Sequence, residues 1–196
     1  MLEPRNWVNW RQDQRRQLVN IRQALTASQR LEAEQQIQQR LLSLLTAMPA
    51  GIVSFYMPIH GEINCQPVIE KLLNHGWRAA LPKIIAKNTA LQFRQWTTDS
   101  DMQPEIWQIL VPQHTAELTP DVLLIPLVGF DTNLHRLGNG GGFYDRSLAA
   151  IAPKPLAIGI GLESLKLNDI QPQPHDIAMD IVVTEQAVYQ QPTKPE

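Results

Sequence analysis

Residues 124–148, LIPLVGFDTNLHRLGNGGGFYDRSL, decide the fold and carry most of the functional information in this chain. The stretch opens within a continuous apolar run, residues 122–128, which is typical of a strand covered on both faces in a parallel sheet. Four glycines follow between residues 138 and 142, and residues 143–150 have the length of a short helix. The order of strand, glycine loop and helix indicates an α/β protein.

The glycine loop has two interpretations. Amides at a helix start favour anions, and glycines let a phosphate approach the main chain. Arg136 and Arg146 add positive charge beside the loop, and Asp145 could help to hold a divalent cation, so an Mg-nucleotide fits. The loop could equally be only a tight turn, with Asp145 offsetting the helix dipole. Phe143 stands where GxGxxG needs a third glycine and no P-loop ending is present, so spacing alone leaves both interpretations open.

Composition bounds the class of protein. With 196 residues, 43% hydrophobic and 18% charged, we expect one globular domain over residues 1–196, frayed at 1–10 and 190–196. A net charge of −2 argues against nucleic-acid and membrane partners, and the single cysteine, Cys65, fits a reducing compartment. With no signal-peptide core and no apolar run of about 18 residues, we expect a soluble, cytoplasmic monomer.

Hydrophobic periodicity predicts the remaining elements. A basic helix is expected over residues 11–25, with Leu18, Ile21 and Leu25 on its buried stripe. Further helices should run from a Thr26–Gln29 capping box to Met48, and from an Asn64 cap to His75. Residues 98–118 read as mostly loop with a flap or edge element at 106–111. The other strands predicted in a mostly parallel sheet are residues 51–56, 77–82, 91–96, 156–160 and 181–184. Strands 51–56 and 77–82 form one βαβ unit with the helix between them, and strands 122–128 and 156–160 form a second with the glycine-loop helix.

Charged residues follow several of these strands. Loops that leave the carboxyl ends of parallel strands share one edge of the sheet, where ligands bind. The rule therefore predicts a single cleft that contains cationic side chains for a phosphate, carboxylates for a metal ion and one carboxylate for a substrate. This combination favours the Mg-nucleotide interpretation of the glycine loop. The residues concerned are Glu62, Lys83, Arg136, Asp145 and Asp176.

Two other features bear on the ligand. Arg11 and Arg15 share one face of the first helix and could clamp a polyphosphate, although a solvated basic face explains them better from spacing alone. Trp107, in a loop beside the cleft, could cover a flat ring. His175 has no partnered nucleophile, so the sequence provides no nucleophile paired with a base.

The segments LIPLVGFD and RLGNGGGFYDR, residues 124–131 and 136–146, resemble the signature of the 5-formyltetrahydrofolate cyclo-ligases, also called methenyltetrahydrofolate synthetases. The resemblance extends to Arg11 and Arg15, to residues 56–62, and to residues 81–83 and 175–176, and so covers nearly the whole chain. It implies a Rossmann-like three-layer α/β sandwich. It also implies ATP- and Mg²⁺-dependent cyclisation of 5-formyltetrahydrofolate to 5,10-methenyltetrahydrofolate through a phosphorylated formyl group, with release of ADP and phosphate.

The resemblance also implies a role for each matching position. Catalytic roles fall on Arg136, Lys83 and Asp145, and magnesium binding falls on Asp145 and Asp176. The folate would contact Met57, Glu62, Trp107 and Tyr144. The residues implied to hold ATP are Arg11, Arg15, Arg136, Leu137, Gly138, Asn139, Gly140, Gly141, Gly142, Phe143 and Tyr144.

Some positions depart from the family pattern. Arg11 stands for a lysine, Asn139 for an aromatic residue or arginine, Phe143 for a tyrosine, and Gly141 for a lysine that some members carry. A lysine at 141 would add charge beside the γ-phosphate, so Arg136 or Lys83 would have to compensate. Two other functions stay open: a folate or nucleotide sensor without turnover, and a sugar-phosphate isomerase that needs a paired acid and base but no ATP.

Overall fold

Four α-helices occur in residues 6–191, which are the residues that the computed structural model describes. The capping box predicted before the second helix is present, because the Thr26 hydroxyl accepts a bond from the Gln29 amide and Gln29 reaches back to the Thr26 amide. None of the helices in this described range is long and apolar enough to cross a bilayer. The helices are α1 Asn6–Gln23, α2 Ala27–Thr46, α3 Gln66–Leu73 and α4 Phe143–Ala150.

One seven-stranded sheet spans the described part of the chain, in the order β11-β10-β9-β6-β1-β2-β3. Its five inner strands are parallel, and β3 and β11 run antiparallel at the two edges. Two small hairpins, β4–β5 and β7–β8, lie outside this sheet. The strands are β1 Ile52–Ser54, β2 Arg78–Lys83, β3 Gln92–Trp96, β4 Met102–Pro104, β5 Leu110–Pro112, β6 Val122–Pro126, β7 Gly129–Phe130, β8 Arg136–Leu137, β9 Leu156–Ile160, β10 Ile181–Val183 and β11 Val188–Gln190.

The central strand β6 divides its side chains between two cores, because successive residues of a strand point to opposite faces. Val122 and Leu124 belong to the core that also contains residues of α1, α2 and α3. Leu123 and Ile125 belong to the core that contains Leu148 of α4. Helices therefore cover both faces of a mostly parallel sheet, and the predicted three-layer α/β sandwich is confirmed, as are both βαβ units.

Several predicted boundaries were wrong. Helix α1 begins at Asn6 rather than at residue 11, so residues 6–10, predicted to be frayed, form its first turns. Gln190 likewise belongs to β11, whereas residues 1–5 and 192–196 lie outside the described residues. Helix α3 has Cys65 at its N-cap position, and the Asn64 side chain instead accepts from the Gln66 amide at 3.0 Å.

The segment predicted as mostly loop, residues 98–118, contains the hairpin β4–β5. The flap predicted at residues 106–111 comprises the turn of that hairpin, a single 3₁₀ turn at Ile106–Gln108, and the first residues of β5. Trp107 lies at its tip with 67% of its surface exposed and with a positive φ of 57°. The antiparallel pairing of β4 with β5 supports this tip.

Candidate functional site

The glycine loop leads directly into α4. Gly140 and Gly142 have φ values of +92° and +63°, which a residue with a side chain rarely adopts, so glycine is needed at both positions. Gly141 is restricted in a different way, because a Cβ there would come within 2.7 Å of the Phe143 ring. A lysine at 141 would therefore displace Phe143, which relates two departures from the family pattern to each other. The loop exposes residues 139–141 next to the amide end of α4, where an anion would be stabilised.

Arg136 and Asp145 form an ion pair beneath the loop. Arg136 Nη2 lies 2.7 Å from Asp145 Oδ2, and the two side chains are only 5% and 15% exposed. A third segment completes the contact, because Asp145 Oδ1 accepts from the Ile177 amide at 3.0 Å and Arg136 donates to the Ile177 carbonyl at 3.1 Å. Arg136 also lies 6.0 Å from the centre of the Tyr144 ring. Strand β8, helix α4 and the loop after β9 are joined here.

Arg11 and Arg15 reach the same place from helix α1. Arg11 lies 2.9 Å from Asp176 Oδ2, which also accepts from the Gln173 amide at 2.7 Å. Arg15 donates to the Gly138 carbonyl at 2.7 Å, and burial together with the charge of Arg11 lowers its pKa. The explanation of these arginines as a merely solvated basic face is wrong, since Arg11 is buried. Two guanidinium groups beside a glycine loop have the charge and the donors that a polyanion requires.

Glu62 is a buried carboxyl next to the glycine loop, and only 6% of its surface is exposed. Burial raises the pKa of this carboxyl, and the Ile59 amide, Arg22 and Asn139 of the glycine loop oppose that rise. Its Oε2 accepts from the Ile59 amide at 3.1 Å. Burial also raises the pKa of Tyr56 and of Tyr144, and the charge of Glu62 adds to both shifts, so both hydroxyls near this carboxylate stay neutral. Met57 is half-buried and packs against the core.

Lys83 contacts a hairpin rather than the glycine loop, although the sequence assigned it to the cleft at that loop. It stands at the end of β2, as expected, but its ammonium lies 2.7 Å from Glu105 Oε1 in the hairpin β4–β5. The Gln113 amide donates to the same oxygen at 3.1 Å. Lys83 therefore holds the hairpin in this structure, and its catalytic role stays a prediction. The same hairpin carries Trp107, whose ring meets the Phe143 ring edge-on at 6.0 Å.

Asp145 and Asp176 are the carboxylates predicted to bind magnesium. Across residues 6–191 there is no cluster of three or more His, Cys, Asp or Glu that could hold a metal. Mg²⁺ commonly uses one or two carboxylates plus substrate phosphates, however, so a larger acidic cluster is not required. Each of these carboxylates already has an arginine partner. They therefore fit a cation that arrives with phosphate groups better than a bare ion.

One buried arginine beside the site, Arg22, was not predicted from the sequence, and Ile21 was wrongly predicted on the buried stripe of α1. Ile21 is 43% exposed, and Arg22 is 2% exposed. The spacing of Arg11, Arg15, Leu18 and Arg22 contains the signal, because steps of four, three and four residues keep one face of a helix. Three arginines on one face, in register with a buried leucine, indicate that this face points into the protein.

Comparison with known proteins agrees with these observations. A model of the 5-formyltetrahydrofolate cyclo-ligase family matches residues 8–185. The 5-formyltetrahydrofolate cyclo-ligases of Haemophilus influenzae and of Escherichia coli strain K12 are each 31% identical to the chain; the alignments cover 88% and 86% of this chain and 97% of each relative. A solved 5,10-methenyltetrahydrofolate synthetase from Mycoplasma pneumoniae is 29% identical, with a TM-score of 0.75 and coverage of 89% and 98% of the two chains. An NMR structure of an Aquifex aeolicus synthetase, 22% identical with coverage of 95% and 96%, has the same fold at a TM-score of 0.80.

Proposed function

The chain belongs to the 5-formyltetrahydrofolate cyclo-ligase family, and we propose on this basis that it cyclises 5-formyltetrahydrofolate to 5,10-methenyltetrahydrofolate in a reaction that requires ATP and Mg²⁺. The chain is thus an enzyme, and its substrate is a small reduced folate. Its action as a cytoplasmic monomer without nucleic-acid or membrane partners stays a prediction.

The observation that carries the proposal is the meeting of three arginines at the glycine loop. Arg11 and Arg15 arrive from α1 and Arg136 from β8, and two carboxylates accompany them. The cations outnumber the acids, and the loop amides add further positive potential, so the site suits a polyphosphate. ATP is the polyphosphate that the family's reaction uses.

The folate would occupy the pocket at Glu62 and Tyr144, next to the phosphate site. Tyr144 is one residue before Asp145 on α4, so a ring held there lies beside the loop that would hold the γ-phosphate. Trp107 and Met57 would contribute apolar surface to the flat ring. The Glu62 carboxylate, in its ionised form, would accept hydrogen bonds from N–H groups of the pterin ring.

The chemistry needs no protein nucleophile. The formyl oxygen attacks the γ-phosphorus, and the bond between that phosphorus and ADP breaks. The N5-formyl group is thereby converted into an imidate phosphate. N10 then attacks that carbon, the C–O bond to phosphate breaks, and N10 loses its proton to solvent. The chain's own groups position the reactants and stabilise the developing phosphate charge, mainly through Arg136, Arg11 and Arg15. Magnesium, held by Asp145 and Asp176, would neutralise part of the phosphate charge.

An absorbance assay tests the proposal. Purified protein with 5-formyltetrahydrofolate, ATP and Mg²⁺ should produce the methenyl chromophore, together with one ADP for each ring closed. Omission of ATP should abolish the signal. Folate or ATP binding by calorimetry, with no ADP formed, would instead indicate a sensor without turnover. Isomerisation of a sugar phosphate without ATP would overturn the assignment.

A further inference from the structure

Arg22 is a buried arginine in the Glu62 pocket that the roles described above do not use. It lies on the face of α1 that carries Arg11 and Arg15, and its side chain is only 3% exposed. Arginine does not lose its proton in proteins, so this position holds a permanent positive charge. Burial of such a charge is costly unless it has partners.

Two backbone carbonyls from different loops hold the Arg22 guanidinium in place. Nε donates to the His60 carbonyl at 3.1 Å, and Nη1 donates to the Leu127 carbonyl at 3.0 Å. These carbonyls follow β1 and β6, the strands whose carboxyl ends border the site. A second arginine supports the arrangement, because Arg30 donates to the Arg22 carbonyl at 2.8 Å and also to the Gly61 carbonyl.

The remaining nitrogen of Arg22 faces Glu62. Nη2 is buried without a hydrogen-bond partner, and it lies 3.9 Å from Glu62 Oε1, whose side chain is 4% exposed. This is too long for a hydrogen bond but close for two opposite charges. Stability alone does not explain the pair, since a buried ion pair with imperfect geometry is often no better than an apolar contact of the same volume. A role in the reaction explains it better.

The other groups near Glu62 cannot replace this charge. Tyr56 and Tyr144 are neutral hydroxyls, Asn139 is a neutral amide, and the Ile59 amide contributes only a dipole. His60 is near, but its side chain is exposed. Arg22 is therefore the permanent cation that opposes the desolvation of the Glu62 carboxylate.

We propose that Arg22 is a positioning residue for the cyclo-ligase reaction, which keeps the Glu62 carboxylate ionised and directed into the substrate pocket so that it can accept N–H groups of the pterin ring. The inference rests on the proposed function, because it assigns Glu62 to the folate. Arg22 acts through Glu62 and does not touch the reacting atoms. It also connects α1, which carries two phosphate-site arginines, to the substrate pocket.

A double-mutant cycle tests this role. Arg22→Met keeps an unbranched apolar stem but removes the guanidinium group and its charge, and it should raise KM for 5-formyltetrahydrofolate about tenfold, since an opposite charge within ~4–6 Å is worth roughly one pKa unit or more. The acidic limb of the kcat/KM profile should move to higher pH by at least about one unit. Arg22→Lys keeps a positive charge, so its rise in KM and its shift of the acidic limb should both be smaller than those of Arg22→Met. In the Glu62→Gln background, Arg22→Met should cause little further rise in KM, because that background has no carboxylate for Arg22 to act on. The Glu62→Gln variant should itself lack the acidic limb of the kcat/KM profile.

The matched control is Arg16→Met, which removes an exposed arginine of the same helix whose side chain is 72% exposed. KM and the pH profile should not change. The inference is overturned if Arg22→Met folds and leaves the acidic limb in place, or if it raises KM equally in the wild-type and Glu62→Gln backgrounds. If Arg22→Met does not fold, Arg22→Lys provides the test. An acidic limb that moves to higher pH supports the inference, and a limb that stays at its wild-type position overturns it. Lack of turnover by the unaltered protein would overturn the proposed function instead.

Discussion

Asp145→Asn is the substitution that most directly tests the ion pair beneath the glycine loop. The change keeps the size of the side chain but removes its charge and replaces one acceptor by an amino group. Asp145 accepts from Arg136 at 2.7 Å and from the Ile177 amide at 3.0 Å, so an asparagine can satisfy only one of these donors and presents an N–H to the other. Arg136 then loses the partner that directs it towards the loop.

The magnitude follows from the geometry. A hydrogen bond to a charged group contributes about 1.5–3 kcal/mol, and breaking a fully buried ion pair costs about 3–5 kcal/mol. Asp145 is 15% exposed and so is not a fully buried charge, and we therefore take about 2 kcal/mol, within the range for a hydrogen bond to a charged group. If this energy holds Arg136 in its transition-state position, kcat should fall about 30-fold. Arg136→Ala should reduce turnover at least about tenfold by the same reasoning.

The assay is ATP-dependent formation of the methenyl chromophore, with urea unfolding of each variant as a check on the fold. Asp180→Asn is the matched control, since Asp180 also accepts from one cation, Lys154, and one backbone amide, Ala157. It lies at the opposite edge of the sheet, where β9 and β10 begin, so it should lose stability without losing kcat. A folded Asp145→Asn variant with a kcat within about twofold of wild type would refute the reasoning.

Three other changes should have distinct effects. Trp107→Ala should raise KM for the folate about three- to tenfold with little change in stability, because an exposed aromatic contact contributes about 0.5–1.5 kcal/mol; an unchanged KM in steady-state kinetics would remove Trp107 from the substrate pocket. Leu148→Ala should lower the free energy of unfolding by about 2–5 kcal/mol, measured by urea titration, because Leu148 packs α4 onto the sheet; a loss below about 1 kcal/mol would contradict that packing. A chelator in excess should stop turnover and added Mg²⁺ should restore it; turnover that persists without divalent cations would show that Asp145 and Asp176 have no metal to hold.

Much of the fold could be predicted because local patterns carry it. The apolar run before the glycine loop predicted a central strand, and the alternation of helices and strands predicted a mostly parallel sheet. The rule that loops meet at the carboxyl edge brought Arg136, Asp145 and Asp176 together. Helix starts were less accurate, as α1 and α3 show, because a cap depends on side-chain geometry that a pattern describes only to within a few residues.

The sequence by itself determined the glycine loop with its flanking strand and helix, because these features are adjacent in the chain. Small residues directly before a helix start are what the close approach of a phosphate requires. Only the tertiary structure decided which charges meet. The partner of Asp145 at Ile177 is 32 residues away, and Lys83 finds Glu105 in a hairpin rather than the loop. Arg22 is an ordinary basic residue in the sequence, and it becomes a buried charge beside Glu62 only when α1 packs against the ends of β1 and β6. Desolvation depends on everything that surrounds a group, and that set of neighbours exists only in the folded chain.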